Sequence, residues 1–164
     1  MKQTRALIKH LKLNFNHSNM SPKEFLGKEN ELLIAKAIEK AEHQTSGEIR
    51  VHIESMCKED VLDRAAWLFK KLKMLETKDR NGVLIYLSIN DRKFAIIGDG
   101  GINKVVPEGF WNDIKEMMIG HFMKGEFAIG LINGIEKAGE QLKQYFPWQG
   151  NDVNELPDEI SYGE

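Results

Sequence analysis

The stretch that decides the fold is residues 82–99, "GVLIYLSINDRKFAIIGD". Its first part, Val83 to Leu87, is apolar at every position, which is typical of a central strand covered on both faces. Asn90-Asp91-Arg92 has turn chemistry, and Lys93 to Ile97 has the composition of a second strand. The stretch therefore predicts a β-hairpin at the centre of a sheet.

The strand predicted before this hairpin is Glu48 to Glu54. Isoleucine and valine alternate there with Glu48, Arg50, His52 and Glu54, which predicts a strand with one polar side. Between this strand and the hairpin, Asp60 has the chemistry of a cap for a helix that runs to about Lys73. A helical crossover predicts parallel pairing of the strands that it joins, so we expect a mixed sheet.

Helical spacing of apolar residues predicts the remaining elements. A capping box, Ser21-Pro22-Lys23-Glu24, starts a short helix or leads into a longer one. Further helices are predicted over Glu29 to His43, about Pro107 to Met123 and about Glu126 to Tyr145. In the last helix Gly130, Gly134 and Ala138 share one face, which predicts close approach of another backbone. The predicted fold class is α/β, a three-layer α/β/α sandwich with a small mixed β-sheet.

Composition limits the classes of function. The chain has 164 residues, a formal net charge of −2 and a single cysteine, Cys57. This charge gives no basic field for nucleic acid, and one cysteine excludes an internal disulfide framework. No apolar run reaches the roughly 18 residues of a membrane span. We expect a cytoplasmic protein that binds no nucleic acid and has no membrane span.

Charge also divides the chain along its length. Residues 1–20 form a basic segment, 21–147 one domain, and 148–164 an acidic tail without lysine or arginine after Trp148. Both ends are interpreted first as solvated tails and second as docking segments.

The sequence lacks the residue spacing of several catalytic and nucleotide-binding motifs. A dinucleotide fingerprint needs a third glycine after Gly98 and Gly100, where the chain has Asn103, and no Walker A sequence occurs. The five histidines lack zinc-ligand spacing, and no G-x-S-x-G elbow is present.

One group of oxygen donors remains. If the first two long strands are parallel and the third runs back, Asp99 lies near Asn81-Gly82 and Thr45-Ser46-Gly47. Asp79, Asn81 and Asp99 could then meet at one rim, with Glu108 or Asp113 as a further candidate, and offer ligands for Ca²⁺ or Mg²⁺. The same residue types also serve tight turns, so a turn-only interpretation stays open. A second acidic group, Glu54, Asp60 and Asp91, ranks lower because Asp60 already has a role as a helix cap.

Five motifs, in the order in which they occur, carry a family resemblance. They are "TSGEIRVHI", "AAWLF", "NGVLIYL", "NDRKFAIIGDGGI" and "FMKGEFAIGLINGI". Together they resemble the TPM domain family, in the form of a soluble bacterial-type member, over roughly residues 28–146. The resemblance implies an α/β/α sandwich, divalent cation binding, and acid phosphatase activity as in a plant relative. By position it implies a metal site at Asn81-Gly82, at the loop around Asp99 and at Glu108, although Asp99 stands where many relatives have an aromatic residue.

Three functions follow as hypotheses. The first is a divalent-cation binding domain that acts mainly through an unidentified protein partner. The second is a metal-assisted acid phosphatase for phosphomonoesters, with Asp79, Asp99 or Glu108 as the general base. The third is a metal-independent interaction module that docks through its charged ends.

Overall fold

The computed structural model describes residues 20–163 and the backbone of residues 3–7. Within these residues the sheet has five strands: β1 (Gln3–Leu7), β2 (Glu48–Glu54), β3 (Gly82–Ser88), β4 (Lys93–Gly98) and β5 (Ser161–Tyr162). Their order across the sheet is β1-β4-β3-β2-β5.

The predicted pairing of the central strands is confirmed. β2 and β3 are parallel, with Glu48 opposite Gly82 and Glu54 opposite Ser88. β3 and β4 form the antiparallel hairpin, with Val83 opposite Gly98. The two edge strands were not predicted: β1 pairs antiparallel with β4, and β5 pairs parallel with β2.

Six α-helices lie in the described part of the chain. They are α1 (Pro22–Leu26), α2 (Lys28–Glu42), α3 (Val61–Lys71), α4 (Gly100–Asn103), α5 (Asn112–Met123) and α6 (Phe127–Leu142). None of these helices is both long and apolar enough to cross a membrane.

The caps explain where the helices start. Ser21 and Glu24 form the predicted capping box, and the Asp60 carboxylate accepts hydrogen bonds from the backbone N–H groups of Leu62 and Asp63. The predicted start of a helix at Pro107 is wrong, because Gly109 has φ +76° and interrupts the chain before α5 begins at Asn112.

Two apolar cores, one on each face of the sheet, give the three layers. Ile49, Val51 and Ile53 of β2 face a core built with α2, α5 and α6. Leu84 and Tyr86 of β3 face a smaller core built with α3. The α/β class and the sandwich architecture are therefore confirmed.

The polar side of β2 is buried, which its alternation did not reveal. Glu48, Arg50, His52 and Glu54 each expose 9% or less of their surface. Charged side chains are seldom buried to this extent unless they are paired. This face therefore needs polar partners from elsewhere in the chain.

The C-terminal segment supplies part of that cover. A solvated tail over residues 148–164 was the first interpretation. Many of these residues are exposed, but Leu156 and Ile160 are each only 7% exposed, so the later part of the segment packs against the domain. The Ser161 hydroxyl lies 2.9 Å from His52 Nδ1, and β5 extends the sheet. Of the basic segment 1–20, the structure describes only β1 and Met20.

Glycines let α6 pack closely against its neighbours. A Cβ atom at Gly139 would lie 2.8 Å from Ala41 Cβ and 3.0 Å from its backbone Cα on α2. At Gly130 the clash would be with Phe122 of α5. Because the backbone of α2 cannot yield as a flexible side chain does, Gly139 sets the distance between these two helices.

We predict opposite effects for alanine at two helical glycines. Gly139→Ala should destabilise the domain by about 1–3 kcal/mol, because the added methyl group overpacks the contact between α2 and α6. Gly120→Ala on α5 is the matched control, since a Cβ atom there meets nothing within 4 Å. It should stabilise by roughly 0.5–1 kcal/mol. Urea unfolding measures both changes, and equal effects at the two positions would contradict the packing described here.

Candidate cation site at one edge of the sheet

Three loops meet at the edge where β2 and β3 begin and β4 ends. Glu48 N donates to Asn81 O at 3.3 Å, and Asp99 N donates to Gly82 O at 2.9 Å. Gly101 N donates to Arg80 O at 2.9 Å, and a side chain at Gly101 would collide with this backbone. The predicted approach of Asp99 to Asn81-Gly82 is confirmed, and the loop at residues 45–47 is joined to Asn81 through Ser46.

Asp99 is buried and fully engaged within the protein. Arg80 donates from Nε to Oδ2 at 2.7 Å and from Nη2 to Oδ1 at 2.8 Å. Gly100 N donates to Oδ1 at 2.6 Å, so the carboxylate also caps α4. Because a cation would have to compete with this two-bond pairing, the side chain is better suited to holding the loop than to binding a metal.

Asn81 is in the opposite situation. It is 1% exposed, and its Nδ2 donates to Ser46 Oγ at 3.3 Å. Its Oδ1 is buried and has no hydrogen-bond partner among the described residues. A buried carbonyl oxygen without a partner costs about 1–3 kcal/mol, so this atom fits the requirement for a bound cation or another donor.

The other predicted ligands lie at the surface. Asp79 is exposed and lines a cavity of about 290 Å³ together with Ser46, Asp152 and Glu155. Glu108 is exposed in the turn before α5, and Asp113 is exposed in its first turn. Neither has a hydrogen bond or an ion pair with Asp79, Asn81 or Asp99 within the described residues.

The C-terminal segment places several carboxylates at this edge of the sheet. The sequence had suggested that they lie in a free tail. A second cavity, of about 280 Å³, shares Ser46 and Asp152 with the first and is also lined by Glu42, Glu48 and Asp158. Leucine and isoleucine within the acidic segment were the signal that it folds back. The edge of the sheet therefore carries more negative charge than the loops alone provide.

Glu48 and Glu42 line this cavity and accept backbone hydrogen bonds from the segments around it. Glu48 accepts hydrogen bonds from Glu155 N at 2.9 Å and Leu156 N at 3.3 Å. Glu42 accepts from Ile49 N at 2.9 Å. Burial, helped by the neighbouring Asp158 and Glu48 carboxyls, raises the pKa of Glu42 to about 10. Burial also raises the pKa of Glu48. A proton therefore occupies this group of carboxyls at neutral pH.

Side chains alone do not form a ready-made metal site. Within residues 20–163, no group of three or more His, Cys, Asp or Glu side chains is arranged to hold a metal ion. Any cation here would also need amide, hydroxyl or water oxygens, which Ca²⁺ and Mg²⁺ accept.

The second acidic group, at the opposite edge, has structural partners. Glu54 accepts hydrogen bonds from Arg64 and from the Tyr86 hydroxyl, the latter at 2.7 Å. Asp60 caps α3, and Asp91 accepts from Cys57 N and from Ser88 Oγ. These contacts account for all three side chains without a ligand.

The raised pKa of Glu42 predicts a pH dependence of stability. A folded-state pKa above the ordinary 4.5 gives stability that is complete below about pH 4.5 and is lost as the pH rises towards 10. Glu42→Gln keeps a neutral side chain, so it should flatten this loss and raise the melting temperature at about pH 9 by a few degrees. Thermal unfolding at about pH 6 and about pH 9 measures the effect. Glu39→Gln, on the exposed face of α2, is the control, and a Glu42→Gln protein with the wild-type pH slope would contradict the prediction.

Comparison with known proteins places the chain among relatives. The TPM domain family model matches residues 20–141. The NMR structure of the BA42 protein from the psychrophilic bacterium Bizionia argentinensis is 50% identical and has a TM-score of 0.82, with 86% of this chain and 97% of that chain covered.

A second solved structure is similar in fold alone. It is the N-terminal domain of a protein from P. gingivalis, with 22% identity, a TM-score of 0.61, and coverage of 74% of this chain and 79% of that chain. No match was found among curated proteins. The family match and the close structural relative together show that the chain belongs to the TPM domain family.

Proposed function

We propose that this domain binds one divalent cation, Ca²⁺ or Mg²⁺, at the edge of the sheet beside Asn81. The observation that carries the proposal is the Asn81 Oδ1 atom, which is buried and lacks a hydrogen-bond partner among the described residues. An amide oxygen in this state is a ligand of the kind that hard cations use in irregular loops.

The surrounding charge supports a cation over an anion. Asp79, Asp152 and Glu155 line the cavity at this edge, and Lys78 is the only Lys or Arg among its lining residues. Glu42, Glu48 and Asp158 lie in the adjoining cavity. Carboxylates that repel one another in a partly buried site attract a cation strongly. Because a proton is held there at neutral pH, cation binding should strengthen as the pH rises.

The ligands that we propose are the Asn81 amide oxygen and the carboxylates of Asp79 and Asp152, with water completing the shell. Asp99 was predicted as a ligand, and its pairing with Arg80 supports a positioning role, since it fixes the backbone next to Asn81. Glu108 stays a prediction from the resemblance. The irregular loops favour Ca²⁺, which tolerates varied geometry better than Mg²⁺ does.

Action through a protein partner is the second half of the proposal. Trp148 and Val153 line the adjoining cavity, the one with Glu42 and Glu48, and are 45% and 76% exposed. A cation that orders this segment would fix two large apolar side chains at the surface, where such side chains favour protein contacts. Phosphatase activity stays a prediction that the family resemblance alone supports.

The test is an amide NMR titration of chelator-treated protein with Ca²⁺ and then with Mg²⁺. We expect saturable shifts at Asn81, Gly82 and residues 149–155. Asn81→Leu should abolish them, since it removes the buried oxygen. Asp79→Asn and Asp152→Asn should each weaken affinity about tenfold, or ~1.4 kcal/mol.

Asp63→Asn is the matched control, because it removes one exposed carboxylate on α3, next to Arg64, which pairs with Glu54 at the opposite end of β2. It should leave the affinity unchanged. Shifts that are absent, or that are the same size in Asn81→Leu, would overturn the proposal.

A further inference from the structure

A second polar feature lies on the other side of the C-terminal segment, away from the cation cavity. Arg50 projects from the polar side of β2 and is 9% exposed. Its Nε is buried and has no hydrogen-bond partner among the described residues. An arginine stays charged at any ordinary pH, so a buried Nε–H group of this kind calls for an acceptor, and an anion is the strongest one.

Two other arginines near the sheet show how the chain normally satisfies this need. Arg64 makes a two-bond pair with Glu54, and Arg80 makes one with Asp99. No such pair holds Arg50 among the described residues. Burial lowers the pKa of Arg50, and the charge of Glu159 opposes this effect only in part.

Arg50 lines a cavity of about 450 Å³, which we call the Arg50 pocket. Lys71 and Lys73 lie on its wall, against the carboxylates of Glu76 and Glu155. The Glu155 carboxylate already accepts a hydrogen bond from Lys78 N. Among its lining residues the pocket thus has one more positive than negative charge, and Glu159, whose charge acts on Arg50, lies outside that lining.

The remaining lining residues of the pocket are apolar or uncharged. Leu72 and Leu156 contribute apolar surface, and Thr77 contributes a hydroxyl group. The Thr77 oxygen accepts from Asn81 N, which leaves its O–H free to donate. The Arg50 guanidinium beside the apolar surface of Leu72 and Leu156 suits a small organic molecule with an anionic group at one end.

We propose that the Arg50 pocket binds a small organic anion through an oxyanion head, either a carboxylate or a phosphate. The guanidinium presents parallel N–H donors that match two oxygens of either head, and Lys73 adds a second cation. This site is separate from the cation site. The two cavities share only Glu155, so neither proposal depends on the other.

The test uses three probes on the full-length protein, freed of metal by a chelator that is then removed, at constant ionic strength: inorganic phosphate, phenyl phosphate and benzoate. Amide NMR should show saturable shifts at residues 71–77 and 155–157 with at least one probe. The comparison of phosphate with benzoate identifies the head, and the comparison of phenyl phosphate with inorganic phosphate measures the contribution of the apolar wall.

Substitutions at Arg50 distinguish specific binding in the Arg50 pocket from nonspecific attraction of anions to positive charge. Arg50→Met should abolish the shifts, and Arg50→Lys should weaken binding about tenfold, because an ammonium group keeps the charge and loses the fork. Lys70→Met is the matched control, since it removes one exposed positive charge of α3 outside the pocket lining. It should bind as the wild type does.

Stability gives an independent measurement. Without a ligand, Arg50→Met should melt at a higher temperature than the wild type, since it removes a buried N–H donor that has no acceptor among the described residues. The bound probe should raise the melting temperature of the wild type and not that of Arg50→Met. Absence of saturable shifts with all three probes, or equal affinity in Arg50→Met and wild type, would overturn the proposal.

Discussion

The rest of the structure depends on two hydrogen bonds. The Glu48 carboxylate accepts them from the backbone N–H groups of Glu155 and Leu156. It joins a central strand to a segment more than a hundred residues away, since Glu48 and Glu155 are 107 positions apart. A hydrogen bond within a protein contributes about 0.5–1.5 kcal/mol net, and Glu48 accepts two of them.

This contact turns the polar side of β2 into an interior surface. Leu156 can then complete the smaller core against α3, and Ser161 reaches His52 to extend the sheet as β5. Both candidate cavities depend on the same contact, because the returning segment forms one wall of each. The Glu155 side chain lies between the negative cation cavity and the Arg50 pocket.

Local sequence patterns were sufficient for the central elements of the fold. The apolar run Val83 to Leu87 and the turn at Asn90 predicted the hairpin, and the crossover predicted its parallel neighbour. Alternation in β2 could identify a polar side but not its cover, because the cover comes from distant chain with weak strand signals. The start of α5 was misplaced because Pro107 suits a first helical turn, whereas the positive φ of Gly109 depends on the surrounding backbone.

The candidate site was partly predictable for the same reason. Topology alone placed Asn81 and Asp99 at one edge, as observed. It could not show that Arg80, in a left-handed conformation with φ 50°, engages both oxygens of Asp99. Nor could it show that Asn81 Oδ1 finds no partner in the part of the chain that the structure describes, since this depends on which neighbours reach it. The carboxylates of the C-terminal segment could not be assigned to the site from sequence, because the contact of this segment with Glu48 is what brings them there.

The most direct test of this account is amide hydrogen exchange at Glu155 and Leu156, with and without Ca²⁺. The account predicts slow exchange at both amides in the metal-free protein, because Glu48 holds them, and slower exchange still when Ca²⁺ binds beside the segment. Exchange at the rate of an unstructured chain in both conditions would contradict it, because the segment would then form no wall and neither cavity would exist.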